Sequence, residues 1–129
     1  MKKYKILIVD DERSFAEMIR LNFQPEQFDA RTCHSGKDAL LEAERDRPDV
    51  MILDIMMGGM DGWGVLSALR ANPKTASIPV IMLTAKDGSE DVKKSFQYGA
   101  QSYITKPINF TKLMAKVSAV LDTEELLKD

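Results

Sequence analysis

One cysteine (Cys33), one histidine (His34) and one tryptophan (Trp63) are all that this 129-residue sequence holds of those types, and each scarcity excludes something. A lone cysteine cannot close an internal disulfide or form a CxxC pair, so a cytoplasmic chain is expected and Cys33 reads as a small apolar filler. His34 has no second histidine or cysteine to share a metal, and no helical bundle to make it a phosphodonor, so it reads as a solvated loop residue. An excess of positive charge is also missing. Lysine and arginine number 18 against 20 acidic residues, net −2, and they are scattered. The basic stripe of a nucleic-acid binder is therefore absent. Long apolar runs are lacking too. Ile6–Val9 and Val50–Leu53 are strand-sized, far short of the roughly 20 residues of a membrane-spanning helix. The basic start Met1-Lys2-Lys3-Tyr4-Lys5 leads only to a short apolar run and two aspartates, which is no signal peptide.

What is present suits one globular domain over residues 1–122, with 123–129 as a helix extension or the start of a linker. A chain of this length hides roughly two-thirds of its unfolded surface, enough for a core without staples. Ile6-Leu7-Ile8-Val9 has no polar alternation, as in a strand buried on both faces of a parallel sheet. From Ser14 the spacing turns helical, with Phe15, Met18, Ile19 and Phe23 near one stripe, up to Pro25. Phe28 to Thr32 is a weaker strand near an edge. Ser35-Gly36 opens a helix to Asp46 with Ala39, Leu40 and Ala43 inward. Asp49 to Asp54 is the most buried strand. A glycine-rich loop over 57–62 leads to a helix ending near Ala71, in which Trp63 is either packed or exposed to a partner. Val80 to Leu83 is a strand, Ser89 to Tyr98 a helix closed by Gly99, and Ser102 to Thr105 a strand. Asn109 caps a last helix with the stripe Phe110, Leu113, Val117, Val120 and Leu121. Most of the eight methionines, Met51 and Met82 among them, read as core.

Five strands alternating with five helices imply an α/β fold: a parallel sheet, helices on both faces, right-handed crossovers. Sites in such sheets form beyond the carboxyl ends of the strands. Strand one there ends in Asp10-Asp11, strand three in Asp54 and strand four in Thr84, and strand five is followed by Lys106-Pro107. Each residue alone is unremarkable; their joint placement is not. Three bare carboxylates in a partly dry cleft repel strongly. Lys106 compensates in part, and a hard divalent cation is the natural complement. Mg²⁺ suits a few carboxylates, keeps several waters and bridges to phosphoryl oxygens, with Mn²⁺ as the substitute. An aspartate beside Mg²⁺, a lysine and a hydroxyl is placed to accept a phosphoryl group.

Asp10-Asp11-Glu12, the segment Leu53-Asp54-Ile55-Met56-Met57-Gly58-Gly59-Met60-Asp61-Gly62, Thr84-Ala85 and Lys106-Pro107 together resemble, in order and spacing, the landmarks of receiver domains of bacterial two-component response regulators, of the chemotaxis type. The resemblance spans nearly the whole chain. It implies the flavodoxin-like (βα)5 fold with strand order 2-1-3-4-5. It further implies that Asp54 takes a phosphoryl group from a sensor histidine kinase or a phosphotransfer protein. Asp11 would ligate Mg²⁺ directly and Asp10 mostly through water, joined by Asp54 and the Met56 backbone carbonyl. Thr84 and Lys106 would hold phosphoryl oxygens, and the Lys106–Pro107 bond would be cis. Tyr103 would be the switch aromatic, turning inward as Thr84 moves. The output surface would then be the helix Ser89–Tyr98, strand five and the last helix, facing a downstream protein, an output domain or a second copy. Such a domain is no enzyme beyond assisting its own Mg²⁺-dependent phosphorylation and slow dephosphorylation.

Gly58 departs from the pattern, since family members usually have proline there. Glycine lowers the cost of unusual dihedrals and raises the entropy lost on ordering, so a more mobile loop with retained Mg²⁺ binding is expected. Met56 and Lys86 should tune the acyl-phosphate lifetime. Two rival functions fail on particular residues. An electron carrier of this fold needs a hydroxyl- and glycine-rich phosphate cradle where the chain has Asp10-Asp11-Glu12. An aspartyl phosphatase resembles Asp-x-Asp, where the chain has Met56. A degenerate receiver that binds partners unphosphorylated is the serious rival.

Overall fold

The structure is a computed structural model that describes residues 3–85 and 88–122, so Lys86 and the extension 123–129 lie outside the described residues. Strands and helices alternate: β1 (Tyr4–Val9), α1 (Arg13–Arg20), β2 (Phe28–Cys33), α2 (Gly36–Arg45), β3 (Val50–Asp54), α3 (Gly62–Ala71), β4 (Val80–Thr84), α4 (Ser89–Gln97), β5 (Ser102–Thr105) and α5 (Phe110–Leu121). All strand pairings are parallel and the sheet order is β2-β1-β3-β4-β5, the order that the resemblance implied.

The unbroken apolar runs work as strands because each supplies both faces of the sheet. Ile6 and Ile8 of β1, Val50 and Ile52 of β3, and Ile81 and Leu83 of β4 join α1 and α5 in one buried cluster. Their alternates Leu7, Val9, Met51, Leu53, Val80 and Met82 join α2 and α3 in the other. At about 1.5–3 kcal/mol per fully buried aliphatic side chain, these two layers dominate the stability. The weaker strands β2 and β5 form the edges, where only half the surface needs cover.

The helix ends follow local chemistry. Ser35, Asp61 and Asn109 accept from the backbone N–H groups of Asp38, Gly64 and Lys112, capping α2, α3 and α5. Gly99, just past α4, has φ +94°, the left-handed conformation expected of it. The first helix is shorter than its pattern suggests. It stops at Arg20 because the Asn22 amide takes the Met18 carbonyl and the chain turns there. Within α1 the buried face runs through Ala16 and Ile19, and Met18 lies exposed rather than inward. The methionines also divide differently from expectation: Met51 and Met82 are buried, whereas Met56 and Met60 are exposed in the loop after β3. No helix among the described residues is long and apolar enough to cross a membrane.

Candidate functional site

β1 and β3 are adjacent, with Val9 paired to Leu53, so Asp10 and Asp54 emerge side by side at the carboxyl rim. On the other side of β3, Leu83 pairs with Asp54, and Thr84 pairs with Thr105 of β5. The Lys106 amide bonds the Thr84 carbonyl at 2.8 Å, which delivers the lysine to the same rim. Residues drawn from four stretches of sequence thus meet because of strand order. The Lys106–Pro107 peptide is cis.

One oxygen from each of Asp10, Asp11 and Asp54 lies within 4.8 Å of the others. Asp10 and Asp54 are buried while Asp11 is exposed. The Lys106 ammonium stands 3.2 Å from Asp54 Oδ2 and 3.7 Å from Asp10 Oδ2, and 4.8 Å from the centre of the Phe15 ring. The other oxygens take backbone donors: the Glu12 amide bonds Asp10 Oδ1 at 2.9 Å, and the Met56 amide bonds Asp54 Oδ1 at 3.4 Å. Burial pushes the Asp54 carboxyl up to about 6, helped by the negative charge of Asp10 and opposed by Lys106 and the Met56 amide. One lysine thus fails to balance the cluster.

Two buried side-chain oxygens of the rim, Asp10 Oδ2 and Thr84 Oγ1, have no hydrogen-bond partner among the described residues. Such orphans are rare in folded proteins and call for a partner. A divalent cation suits the donor set: hard oxygens, excess negative charge and a spare lone pair on Asp10. Thr84 carries a hydroxyl that can donate, so it suits an incoming anion.

Sequence reasoning missed three contributors. Phe15 reads as core on the α1 stripe, yet its ring is only partly buried and faces the Lys106 ammonium. His34 is half-buried rather than solvated. Its Nδ1 lies 3.1 Å from the Asp10 carbonyl, which can only accept, so Nδ1 carries the proton. The Gly58 amide bonds Asp11 Oδ2 at 3.0 Å. None of these contacts has a signature in spacing, because each joins segments brought together by the sheet. Gly62 is required by close approach: a Cβ there would lie 2.5 Å from the Asp54 carbonyl oxygen. Cys33 packs against the α2–α3 side of the core, and burial, with Glu42 and Asp38 nearby, pushes its thiol up to about 11. It is therefore an inert filler. Trp63 is packed, its ring 5.4 Å from that of Tyr98 with the Lys94 ammonium over it.

The family described as the response regulator receiver domain matches residues 6–118. Response regulator PleD of Caulobacter vibrioides is 38% identical over 116 residues, 90% of this chain and 26% of its own length. The alkaline phosphatase synthesis transcriptional regulatory protein PhoP of Bacillus subtilis is 37% identical over 122 residues, 95% of this chain and 50% of its own length. The chain therefore spans half or less of these relatives. Chemotaxis protein CheY4 of Vibrio cholerae superposes with a TM-score of 0.85 at 29% identity, covering 92% of this chain and 99% of that one. This chain belongs to the receiver domains of two-component response regulators.

Proposed function

We propose that the domain is a phosphorylation-controlled switch in which Asp54 accepts a phosphoryl group from the phosphohistidine of a sensor kinase or a phosphotransfer protein. The observation that carries this reading is the buried Asp54 carboxylate, 3.2 Å from Lys106 within a three-carboxylate cluster beside the orphan Thr84 hydroxyl. An Asp54 oxygen attacks phosphorus, an O–P bond forms, and the N–P bond of the donor breaks with its electron pair leaving on the imidazole. Asp10, Asp11, Asp54 and the Met56 carbonyl would hold Mg²⁺, or Mn²⁺ in its place, which supplies charge neutralisation for the phosphoryl oxygens. Lys106 pairs with one of those oxygens, and Thr84 donates its hydroxyl to another. The protein's part is positioning and electrostatics.

Thr84 is the hinge of the readout. A hydroxyl drawn toward a new charge leaves space along β4, and Tyr103 is the aromatic poised to use it. The Tyr103 ring meets Phe96 edge-on at 6.0 Å, with the Lys116 ammonium 4.2 Å from its centre. Tyr103 therefore links α4, β5 and α5, so a ring movement alters the surface they share. Exposed Phe96 and Tyr98 give that surface apolar area for a downstream protein, an output domain or a second copy. Apart from assisting its own phosphorylation and slow dephosphorylation, the domain turns over no substrate.

Incubation with acetyl phosphate and Mg²⁺ tests this by intact mass. One phosphoryl group should be gained, and none in Asp54→Asn or in the presence of EDTA. No gain from either acetyl phosphate or a histidine kinase would overturn this reading in favour of its rival, a receiver that binds partners unphosphorylated.

A further inference from the structure

The loop after β3, read as mobile from its paired glycines, carries three tethers. Asp61 caps α3. Met60 lies over the start of α2, where a Cβ on Gly36 would come within 3.0 Å of the Met60 Cβ. The Gly58 amide bonds Asp11 Oδ2 at 3.0 Å, joining this loop to the loop after β1. The third tether is unlike the others because its acceptor belongs to the carboxylate cluster.

Asp11 is the exposed member of that cluster, and an exposed carboxylate without a partner samples several rotamers. The bond to Gly58 holds it in one of them. One accepted hydrogen bond uses one lone pair of one oxygen and leaves the second oxygen free for a ligand. The missing side chain at residue 58 is not what this position contributes. A Cβ there would meet only Asp11 Oδ2, at an ordinary 3.8 Å, and the backbone is not left-handed. Alanine therefore fits. Proline removes the N–H that donates to Asp11, and its ring also fixes φ and restricts residue 57.

We propose that the Gly58 amide is a positioning group for Asp11, holding its carboxylate beside Asp10 and Asp54 and coupling divalent-cation binding to the order of residues 57–61. This rests on the cation reading of the site given above. Where the family's usual proline stiffens the loop through its ring, this chain uses a hydrogen bond that proline cannot make.

Two measurements decide it. In EDTA, amide exchange at Gly58 followed by NMR should be about tenfold slower in the unmodified chain than in Asp11→Ala. Titration calorimetry with MgCl₂ should give Gly58→Ala a Kd within about twofold of the unmodified chain, and Gly58→Pro a Kd raised about three- to tenfold. Equal exchange rates, or a Gly58→Pro variant that binds as tightly as Gly58→Ala, would overturn the proposal while leaving the cation reading intact. An unmodified chain that binds no Mg²⁺ would overturn both. The exchange comparison leaves residue 58 unchanged, so it decides even if Gly58→Pro fails to fold.

Discussion

In EDTA at pH 8, an Asp54→Asn variant is expected to unfold at a higher urea concentration than the unmodified chain, although it can accept no phosphoryl group. The reason is the cost of an ionised carboxylate at this position. Burial and the Asp10 charge raise the Asp54 pKa from 3.8 to about 6. For an acid raised in the folded state, the native chain binds more protons than the unfolded chain between these values. Stability is therefore fully present below about 3.8 and is lost as pH rises through about 6. A rise of this size, which already includes the pairing with Lys106, corresponds to about 3 kcal/mol, and solvent screening at this partly open rim reduces the expected net gain to about 1–2 kcal/mol. Because the unmodified chain recovers stability as it protonates, the advantage should shrink by roughly half at pH 5.

Mg²⁺ should reverse the order. A cation bound to the native state stabilises it by about 2.7 kcal/mol at a concentration about 100 times its Kd, and Asp54→Asn weakens that site. Urea curves at pH 8 and pH 5, each with EDTA and with Mg²⁺, form the whole test. An Asp54→Asn variant less stable in EDTA at pH 8, or an advantage unchanged at pH 5, would show that Asp54 is not held at a cost. The expected pattern is that of a functional carboxylate whose strain is released by its ligands.

Arg70→Met is expected to destabilise the fold by about 2–4 kcal/mol. Arg70 lies in the last turn of α3, and its guanidinium reaches two other segments. Nη1 donates to the carbonyls of Ala76 at 3.0 Å and Ile78 at 2.8 Å. Nε and Nη2 donate to the Gly99 carbonyl at 3.2 and 2.8 Å, and Nη2 also reaches Gln101 Oε1 at 3.2 Å. Gln101 Oε1 accepts in turn from the Val80 amide at 2.8 Å. One side chain thereby fastens α3, the entry to β4 and the turn between α4 and β5. Burial pushes its pKa down from an ordinary value so high that it stays charged. Methionine fills similar volume and satisfies none of these carbonyls. Lysine should recover less than half of the loss, because a point charge cannot span the fork. Urea midpoints at unchanged slope measure it. A loss under about 0.5 kcal/mol would show that water replaces the guanidinium freely.

Arg70 also marks where sequence reasoning stops. Its place in α3 was legible, but an arginine at a helix end ordinarily reads as a solvated charge favoured by the helix dipole. Its carbonyl partners near residues 76–78 and at Gly99 are set by how α3 lies against β4 and β5, which no periodicity encodes. The same holds for Phe15. Its stripe position showed that it faces inward, and only the meeting of α1 with the end of β5 shows that it faces a lysine. The short α1 has a related cause. A polar side chain, Asn22, ended the helix before proline could.

By itself the sequence determined the alternation of strands and helices, the double-faced burial of β1, β3 and β4, and the presence of acid, hydroxyl and lysine at the strand ends. Those are properties of period, run length and residue type, which are local. The tertiary structure decided the rest: three carboxylates within 4.8 Å, an Asp54 pushed up to about 6, a buried Thr84 hydroxyl without a partner among the described residues, and an Asp11 held by the Gly58 amide. These are relations between segments far apart in the chain. Their distances and dielectric surroundings come into being only when β1, β3, β4 and β5 lie side by side.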